Sequence, residues 1–275
     1  MNQNITKAIL PLAALSCVHG KMLAQDAARP NILYIMCDDH AMQAISAYGS
    51  PISKLAPTPN IDRLAQRGML FRNCFVENSL STPSRACLMT GLYSHQNGQR
   101  QLAEGIDTTK TFVPELMQKA GYETGIVGKW HMMCRPKGFD YYYILDGQGK
   151  YYNPNFCTTG NYGKYKQEMG YATTLTTQHA IEFLDHRQKD KPFCLYVHHK
   201  APHRSWFAEP KHIGMYDGVD FPLPKTFWDN YENRGSAAKT QKMNIEKDME
   251  LILDFKIPEL LDTSDVESMA SYAGL

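Results

Sequence analysis

The sequence predicts an α/β fold in which a mostly parallel sheet is flanked by helices, and three observations carry this prediction. Strand-like apolar runs alternate with helical segments, an order that is typical of parallel sheets. The first run, residues 31–36, lacks the alternation of a half-exposed strand, so we expect it to be buried. Polar residues directly follow several runs, at the strand ends where such sheets place their sites.

Further strands are predicted at residues 69–76, 122–127 and 193–197. Helices are predicted at residues 60–67, 84–89, 113–120, 176–187 and 237–253. Pro59 opens the first helix and Gly68 ends it, while Gly121 ends the third. Residues 141–171 are rich in Tyr, Gly and Asn, so we expect an irregular excursion that lines a binding cleft. Residues 200–224 contain four prolines and are expected to form a loop.

Composition places the chain among globular proteins and argues against two classes of partner. Of its 275 residues, 43% are hydrophobic and 21% are charged, and the net charge is +1. The basic residues are scattered, so we expect no nucleic-acid partner and no attraction to an acidic membrane surface. The seven cysteines show neither zinc-ribbon spacing nor a disulfide framework, and most are expected to be buried small hydrophobic side chains.

The first residues have the pattern of an export signal. Lys7 ends a short polar start, and residues 8–18 are mostly apolar and small. This run is too short to span a bilayer as a helix, and no other segment is apolar enough for a transmembrane helix. We therefore expect residues 1–24 to be a signal peptide and the protein to be periplasmic or secreted. A lipoprotein anchored at Cys17 is the alternative, although the leucine before it is poorly placed for that motif.

The most informative segment is residues 81–91, with the sequence STPSRACLMTG. Pro83 and Ser84 can start a helix, so Ser81 is expected just before its N-terminus, where free N–H groups favour an anion. Arg85 lies one turn further and adds a positive charge with bidentate hydrogen-bonding geometry. From these residues alone, a capped surface helix with an incidental arginine is the alternative.

An acidic pair, Asp38 and Asp39, follows the first predicted strand. Adjacent carboxylates repel each other, so a cation is the natural compensation. Oxygen ligands suit a hard metal ion such as calcium or magnesium. A solvated turn is the alternative for the pair taken alone.

Two basic clusters follow later strands. Lys129 and His131, two residues apart at a strand end, can point into the same cleft. Residues 198–203 (HHKAPH) hold three histidines and a lysine beside another strand end. They leave open a zinc site, a site for an anion and its leaving group, or structural histidines beside a surface lysine.

Together these segments resemble the formylglycine-dependent sulfatases of the alkaline phosphatase superfamily. The family signature is Cys or Ser, any residue, Pro, Ser, Arg, four residues and Thr-Gly, and residues 81–91 match every fixed position. Residues 58–65 also resemble the helix that commonly precedes this signature. The resemblance implies that residues 30–275 are the N-terminal portion of a catalytic domain with an alkaline-phosphatase-like sheet.

The resemblance implies that a serine-type maturation enzyme oxidises Ser81 to formylglycine, whose hydrated form is the family's nucleophile. It makes Asp38, Asp39 and the modified Ser81 ligands of calcium, with magnesium as an alternative. Arg85 is implied to lower the pKa of the nucleophile.

The remaining roles also follow from the resemblance. Lys129 and Lys200 are implied to hold the sulfate, His131 to act as the base that collapses the intermediate, and His203 to protonate the departing alcohol. Residues 138–143 and 147–154 resemble a segment of N-acetylglucosamine-6-sulfatases, although a packing loop rich in aromatic residues is the alternative. We therefore expect a sulfated glycan as substrate, with a 6-O-sulfate on N-acetylglucosamine.

The chain departs from the family's pattern in one respect. Family members are usually longer, and their second half carries an Asp-His-Gly-type segment with further metal ligands. No such segment precedes Leu275, so we expect the C-terminal part of the domain to be missing and the activity of this chain to be weak or absent. Two alternatives stay open: an inactive glycan-binding remnant, and a related metal-dependent phosphatase or phosphodiesterase, against which the complete signature argues.

Overall fold

The computed structural model describes residues 29–255 and shows a six-stranded mixed sheet with helices packed against it. The strands are β1 (Ile32–Met36), β2 (Glu123–Gly128), β3 (Tyr141–Leu145), β4 (Asn155–Thr158), β5 (Lys166–Gln167) and β6 (Phe193–His198). Their order in the sheet is β1-β6-β2-β3-β4-β5. The pairs β1–β6, β6–β2 and β2–β3 are parallel, whereas β3–β4 and β4–β5 are antiparallel. The predicted α/β class with a mostly parallel sheet is confirmed.

The helices are α1 (Pro59–Arg67), α2 (Ser81–Thr90), α3 (Ser94–Asn97), α4 (Val113–Lys119), α5 (Ala172–His186), α6 (Ser236–Thr240) and α7 (Ile245–Asp248). The predicted helices at residues 60–67 and 113–120 are confirmed. The single helix predicted at residues 237–253 is wrong, since two short helices occupy this region. The Asn244 side chain accepts hydrogen bonds from the backbone N–H groups of Glu246 and Lys247, which starts a new helix there.

The core lies on both faces of the sheet because successive side chains of a strand point in opposite directions. On one face, Ile126 belongs to a large cluster with Met89 of α2. On the other face, Val127 and Leu195 pack against Phe183 of α5. The two central strands, β2 and β6, are therefore covered by helices on both sides, as parallel strands require.

One predicted strand is less buried than expected, and another predicted strand does not form. Strand β1 forms, but among residues 29–255 it lies at the sheet edge and pairs only with β6, and its Leu33 and Ile35 are 48% and 53% exposed. No strand forms at residues 69–76, where Met69 and Phe75 are 75% and 88% exposed. An apolar run becomes a strand only where another backbone completes its hydrogen bonds, and the described residues provide no such partner.

The tyrosine-rich residues 141–171 are not the irregular excursion that we expected, because they contain β3, β4 and β5. Tyr142, Ile144 and Phe156 are buried and extend the core across this side of the sheet. The antiparallel turns between these strands carry no helix, so the pattern of alternating strands and helices could not reveal them.

Parallel pairing brings the carboxyl ends of three strands together on the same side of the sheet. Met36, Gly128 and His198 lie in register at the carboxyl ends of β1, β2 and β6. Gly128 has φ +92°, and a Cβ there would lie 2.1 Å from the His198 carbonyl oxygen, so only glycine fits. The Lys129 amide donates to the same oxygen at 2.7 Å, which fixes the backbone from which the side chains of both segments emerge.

The cysteines differ from expectation, and the signal-peptide prediction lies outside the described residues. Six cysteines are described, all free: Cys157 and Cys194 are buried, Cys87 and Cys134 half-buried, and Cys37 and Cys74 exposed. Cys37 follows strand β1, and Cys74 lies within residues 69–76, which form no strand. Residues 1–24 and Cys17 are not among those that the structure describes. Within residues 29–255, every helix is too short or too polar to cross a membrane.

Candidate functional site

Helix α2 carries the signature residue at its first position. The helix begins at Ser81, three residues earlier than predicted, and follows Leu80 in an extended conformation. Pro83 is tolerated inside this helix because the first N–H groups of a helix have no intrahelical partner. Ser81 lines a cavity of about 460 Å³ whose wall also contains Asp38, Asp39 and Arg85.

Arg85 is buried to 98% and joins three segments that are distant in the sequence. Its Nη1 donates to the Lys129 carbonyl oxygen at 2.7 Å and contacts the Nδ1 atom of His198 at 3.0 Å. Its Nη2 lies 3.5 Å from Oδ1 of Asp38. Burial lowers the pKa of Arg85 and the Asp38 carboxylate raises it, so the pair compensates part of the cost of burying the guanidinium.

His198 orients this arginine as a neutral imidazole. It is fully buried, and burial together with the charge of Arg85 holds its pKa well below the usual value. Arginine is only a donor, so in this contact the Nδ1 atom of His198 accepts the hydrogen bond. A structural role for this histidine was among the expectations, and the contact with Arg85 shows what it supports.

Lys129 and Asp38 form a buried ion pair beside the carboxyl ends of β1 and β2. Lys129 Nζ donates to Oδ2 of Asp38 and to Oε1 of Gln148. The lysine and aspartate side chains are 0% and 6% exposed. Burial lowers the pKa of Lys129, and the Asp38 carboxylate opposes this effect. One carboxylate thus balances two buried cations, Lys129 and Arg85.

His131 lies one residue beyond Trp130 with φ +45°, a left-handed conformation that is uncommon outside glycine. Burial, followed by the positive charges of Lys129 and Arg85, lowers its pKa to about 4. Its Nδ1 atom is buried and has no hydrogen-bond partner within residues 29–255. His131 is therefore a neutral imidazole at pH 7, and the described residues leave the hydrogen-bonding capacity of its Nδ1 atom unused.

Lys200 lies on the loop that follows β6. Its Nζ donates to the Gln148 carbonyl oxygen at 3.3 Å and sits 4.9 Å above the centre of the Tyr151 ring. Burial, followed by repulsion from Lys129, lowers the pKa of Lys200 to about 8. The side chain is therefore a cation near neutral pH that pairs with no carboxylate of residues 29–255 and can accept an anion.

This pKa predicts a pH dependence of anion binding. Because only protonated Lys200 attracts an anion, the affinity for inorganic sulfate is expected to fall as the pH rises through about 8. Calorimetric titration with sulfate across this pH measures the effect. A Lys200→Gln variant is the control, with weaker binding that lacks this step, and a wild-type affinity that stays constant would contradict the assignment.

His203 faces the second aspartate of the pair. Its Nε2 atom lies 3.6 Å from Oδ2 of Asp39, and its backbone carbonyl oxygen accepts a hydrogen bond from the Tyr151 hydroxyl at 2.5 Å. Asp39 has φ +58° and is 56% exposed, so its carboxylate is open to solvent. Tyr151 thus touches both Lys200 and the backbone of His203, and it couples the tyrosine-rich segment to this loop.

Three comparisons with known proteins complete the description of the site. The family model described as Sulfatase matches residues 30–274. This chain belongs to the sulfatase family. An N-acetylglucosamine-6-O-sulfatase of Bacteroides thetaiotaomicron is 44% identical over 263 residues, which cover 94% of this chain and 46% of that protein.

Solved structures agree with this family assignment. The structure of BT4656 in complex with its substrate D-glucosamine-2-N,6-O-disulfate superimposes with a TM-score of 0.81 at 44% identity, covering 90% of this chain and 49% of that one. Ps i-CgsB in complex with k-i-k-neocarrahexaose gives 0.61 at 30% identity, covering 70% and 49%. The expected alkaline-phosphatase-like fold is confirmed. The sulfatase chain spans about half the length of these relatives.

Sulfatases generally use a formylglycine and a divalent metal ion, and the residues of this chain can be tested against such an ion. Asp38, Asp39 and Ser81 are oxygen donors on one cavity wall, which is the ligand type that calcium and magnesium prefer. Calcium takes about six to eight oxygen ligands, more than these three side chains supply. Within residues 29–255, no three His, Cys, Asp or Glu side chains form a metal cluster, so the donors fit part of a site.

The structure gathers most of the predicted site residues of this chain near the carboxyl ends of β1, β2 and β6. Ser81, Asp38, Asp39 and Arg85 share the cavity wall, and Lys129 reaches it through Asp38. The remaining residues are linked through neighbours: Lys200 through Gln148, His203 through Asp39, and His131 through the charges that shift its pKa. The histidines at residues 198–203 do not converge, since His198 faces Arg85 and His203 faces Asp39.

Two residues of the site were not singled out from the sequence. Gln148 contacts Lys129 with its side chain and Lys200 with its backbone. Tyr151 packs under Lys200 and bonds to the backbone of His203. Both belong to the 147–154 segment that resembles glucosamine-type sulfatases, so the signal was present, but its contacts with the two lysines span a large sequence distance.

Proposed function

We propose that this chain carries the nucleophile-bearing part of an enzyme that hydrolyses sulfate esters of glycans, with formylglycine made from Ser81. The observation that supports this proposal most directly is that Ser81 shares one cavity with Asp38 and Arg85, while Lys129 is bound to Asp38. A sulfate ester is an anion, so its approach to a nucleophile requires fixed positive charges at that position.

Formylglycine would supply a hydrated aldehyde as nucleophile, and a calcium or magnesium ion held by Asp38, Asp39 and residue 81 would supply positive charge beside it. Arg85 holds a fixed positive charge beside residue 81 because His198 and the Lys129 carbonyl group orient its guanidinium. Lys129 and Lys200 balance the charge of the sulfate oxygens. These cations are preorganised, so little reorganisation is needed as charge develops.

Two histidines move protons in this scheme. His203 donates from Nε2, the ring atom that faces Asp39, to the departing sugar oxygen. His131 accepts a proton from the second hydroxyl of the hydrated aldehyde, and its low pKa keeps it neutral and ready to accept. The proposed acid and the proposed base are thus different residues, so each histidine has one role.

The substrate class is inferred from the relatives. The related protein of B. thetaiotaomicron is an N-acetylglucosamine-6-O-sulfatase, and BT4656 binds a glucosamine derivative that carries a 6-O-sulfate. We assign the same position, the 6-O-sulfate of N-acetylglucosamine, to this sulfatase. Gln148, which contacts both lysines, and Tyr151, which packs under Lys200, join the segment that resembles these relatives to the proposed sulfate site.

Maturation and location follow from the same proposal. Oxidation of Ser81 requires a serine-type formylglycine-generating enzyme, and the expected signal peptide at residues 1–24 directs the protein to the periplasm or outside the cell. Maturation therefore depends on the host, because Ser81 stays unmodified in a host that lacks the maturing enzyme.

Mass spectrometry of the peptide that contains Ser81, from protein made in its native type of host, tests the function. We expect a loss equal to the mass of two hydrogen atoms, together with labelling by an aldehyde-reactive probe. Protein made without the maturing enzyme is the control and should show neither. If native material contains an unmodified serine and still binds glycan, the proposed enzyme is contradicted and the chain is an inactive glycan-binding remnant.

A further inference from the structure

A second cavity of about 570 Å³ lies beside the candidate site, on the loop that follows His203. Four aromatic residues contribute to its wall: Tyr152, Trp206, Phe207 and Tyr216. Its volume falls in the range of about 300–1,000 Å³ that is typical of small-molecule pockets. The inference drawn from it rests on the proposed glycan substrate.

The cavity begins where the sugar of a sulfate ester would emerge. The His203 carbonyl oxygen accepts hydrogen bonds from the Trp206 amide at 3.2 Å and from the Tyr151 hydroxyl at 2.5 Å. His203 is the proposed donor to the departing sugar oxygen, so the sulfated sugar lies on this side of the site. Trp206 is the cavity residue bonded to the His203 backbone, so a glycan chain that continues from this sugar can reach the cavity there.

The floor of the cavity is held in place before any ligand arrives. The Tyr152 hydroxyl donates to the Ala208 carbonyl oxygen, and the Tyr171 hydroxyl donates to that of Phe207 at 2.7 Å. The Phe207 ring packs against Tyr152, with ring centres 6.1 Å apart. Such fixed contacts reduce the entropy that a ligand would otherwise lose in ordering the site.

The chemistry of the wall favours an uncharged sugar. Trp206 and Tyr216 are 47% and 42% exposed, so their ring faces are available for stacking against the apolar face of a pyranose. Asp217 and His212 supply polar groups for hydroxyls. The lining includes a carboxylate and neither lysine nor arginine, so a second sulfate would be repelled.

We propose that this cavity binds an uncharged sugar residue adjacent to the sulfated one in the glycan chain. Calorimetry on the full chain tests this with two probes: 6-O-sulfo-N-acetylglucosamine, and the disaccharide in which it is linked to galactose. The disaccharide is expected to bind about tenfold more tightly. Trp206→Ala should remove this advantage and leave the affinity for the monosaccharide unchanged.

Trp228→Ala is the matched control, because Trp228 is 84% exposed and does not line the cavity. A second variant, Asp217→Lys, should increase the affinity for a disaccharide that carries a sulfate on each sugar. Equal affinities of the wild type for the two probes would overturn the proposal and leave the sulfatase function intact, as would a Trp206→Ala variant that weakens both probes equally.

The unsulfated disaccharide separates a failure of this proposal from a failure of the proposed function. If neither sulfated probe binds, the proposed function fails. In that case, binding of the unsulfated disaccharide to the wild type but not to Trp206→Ala still supports the sugar site, and its absence overturns it.

Discussion

Replacing Ser81 by alanine is expected to remove both the aldehyde and any sulfate release that the wild-type chain shows. Alanine has no oxygen to oxidise, so neither the nucleophile nor its metal-binding oxygen can form. We expect turnover to fall by more than about a thousandfold, as it does when other catalytic nucleophiles are removed. Labelling by an aldehyde-reactive probe gives a readout that is independent of turnover and is expected to disappear.

Ser79→Ala is the matched control for this experiment. Ser79 lines the same cavity and is the same residue type, but it lies outside the signature. Its replacement should leave the labelling of residue 81 unchanged. If wild type and Ser81→Ala hydrolysed a sulfate ester at the same rate, the nucleophile would have to lie elsewhere in the chain.

The second large effect concerns stability. Replacing Asp38 by asparagine keeps the shape of the side chain but leaves Lys129 and Arg85 without a counter-charge, although these two cations are 0% and 2% exposed. Removing one partner of a buried ion pair costs about 3–5 kcal/mol, because the remaining charge stays desolvated. Urea unfolding followed by tryptophan fluorescence, with a chelator present, should show a loss of unfolding free energy in this range.

The neighbouring carboxylate is the natural comparison. Asp39→Asn alters a side chain that is 56% exposed, and asparagine tolerates the positive φ at this position. The free energy of unfolding should change by less than about 1 kcal/mol. Equal stabilities of the two variants would mean that Asp38 does not compensate the buried charges of Lys129 and Arg85.

The site could be predicted from the sequence to the extent that it follows strand ends. Asp38, Lys129 and Lys200 each lie one or two residues after a strand, and parallel strands bring their carboxyl ends to the same side of the sheet. The placement of these residues was therefore predictable once the sheet was taken to be parallel. Chemical roles came only from the resemblance to sulfatases, because spacing alone left zinc and structural histidines open.

Several features could not be predicted because they depend on partners far along the chain. Strand β6 lies between β1 and β2, although it follows both in the sequence. Residues 69–76 have the apolar character of a strand, but they remain unpaired. The tyrosine-rich segment forms strands because β3 pairs with β2, and the composition of the segment did not predict this pairing.

By itself, the sequence determined the signature at residues 81–91, the helix that carries it and the acidic pair after the first strand. These features depend on residues that are neighbours in the chain, where local backbone preferences act. The tertiary structure alone decided that Asp38 neutralises Lys129, at a separation of 91 residues, and that Gln148 joins the two lysines. Such contacts form only when the sheet closes, because the cost of burying each charge is offset only by a partner that folding brings to it.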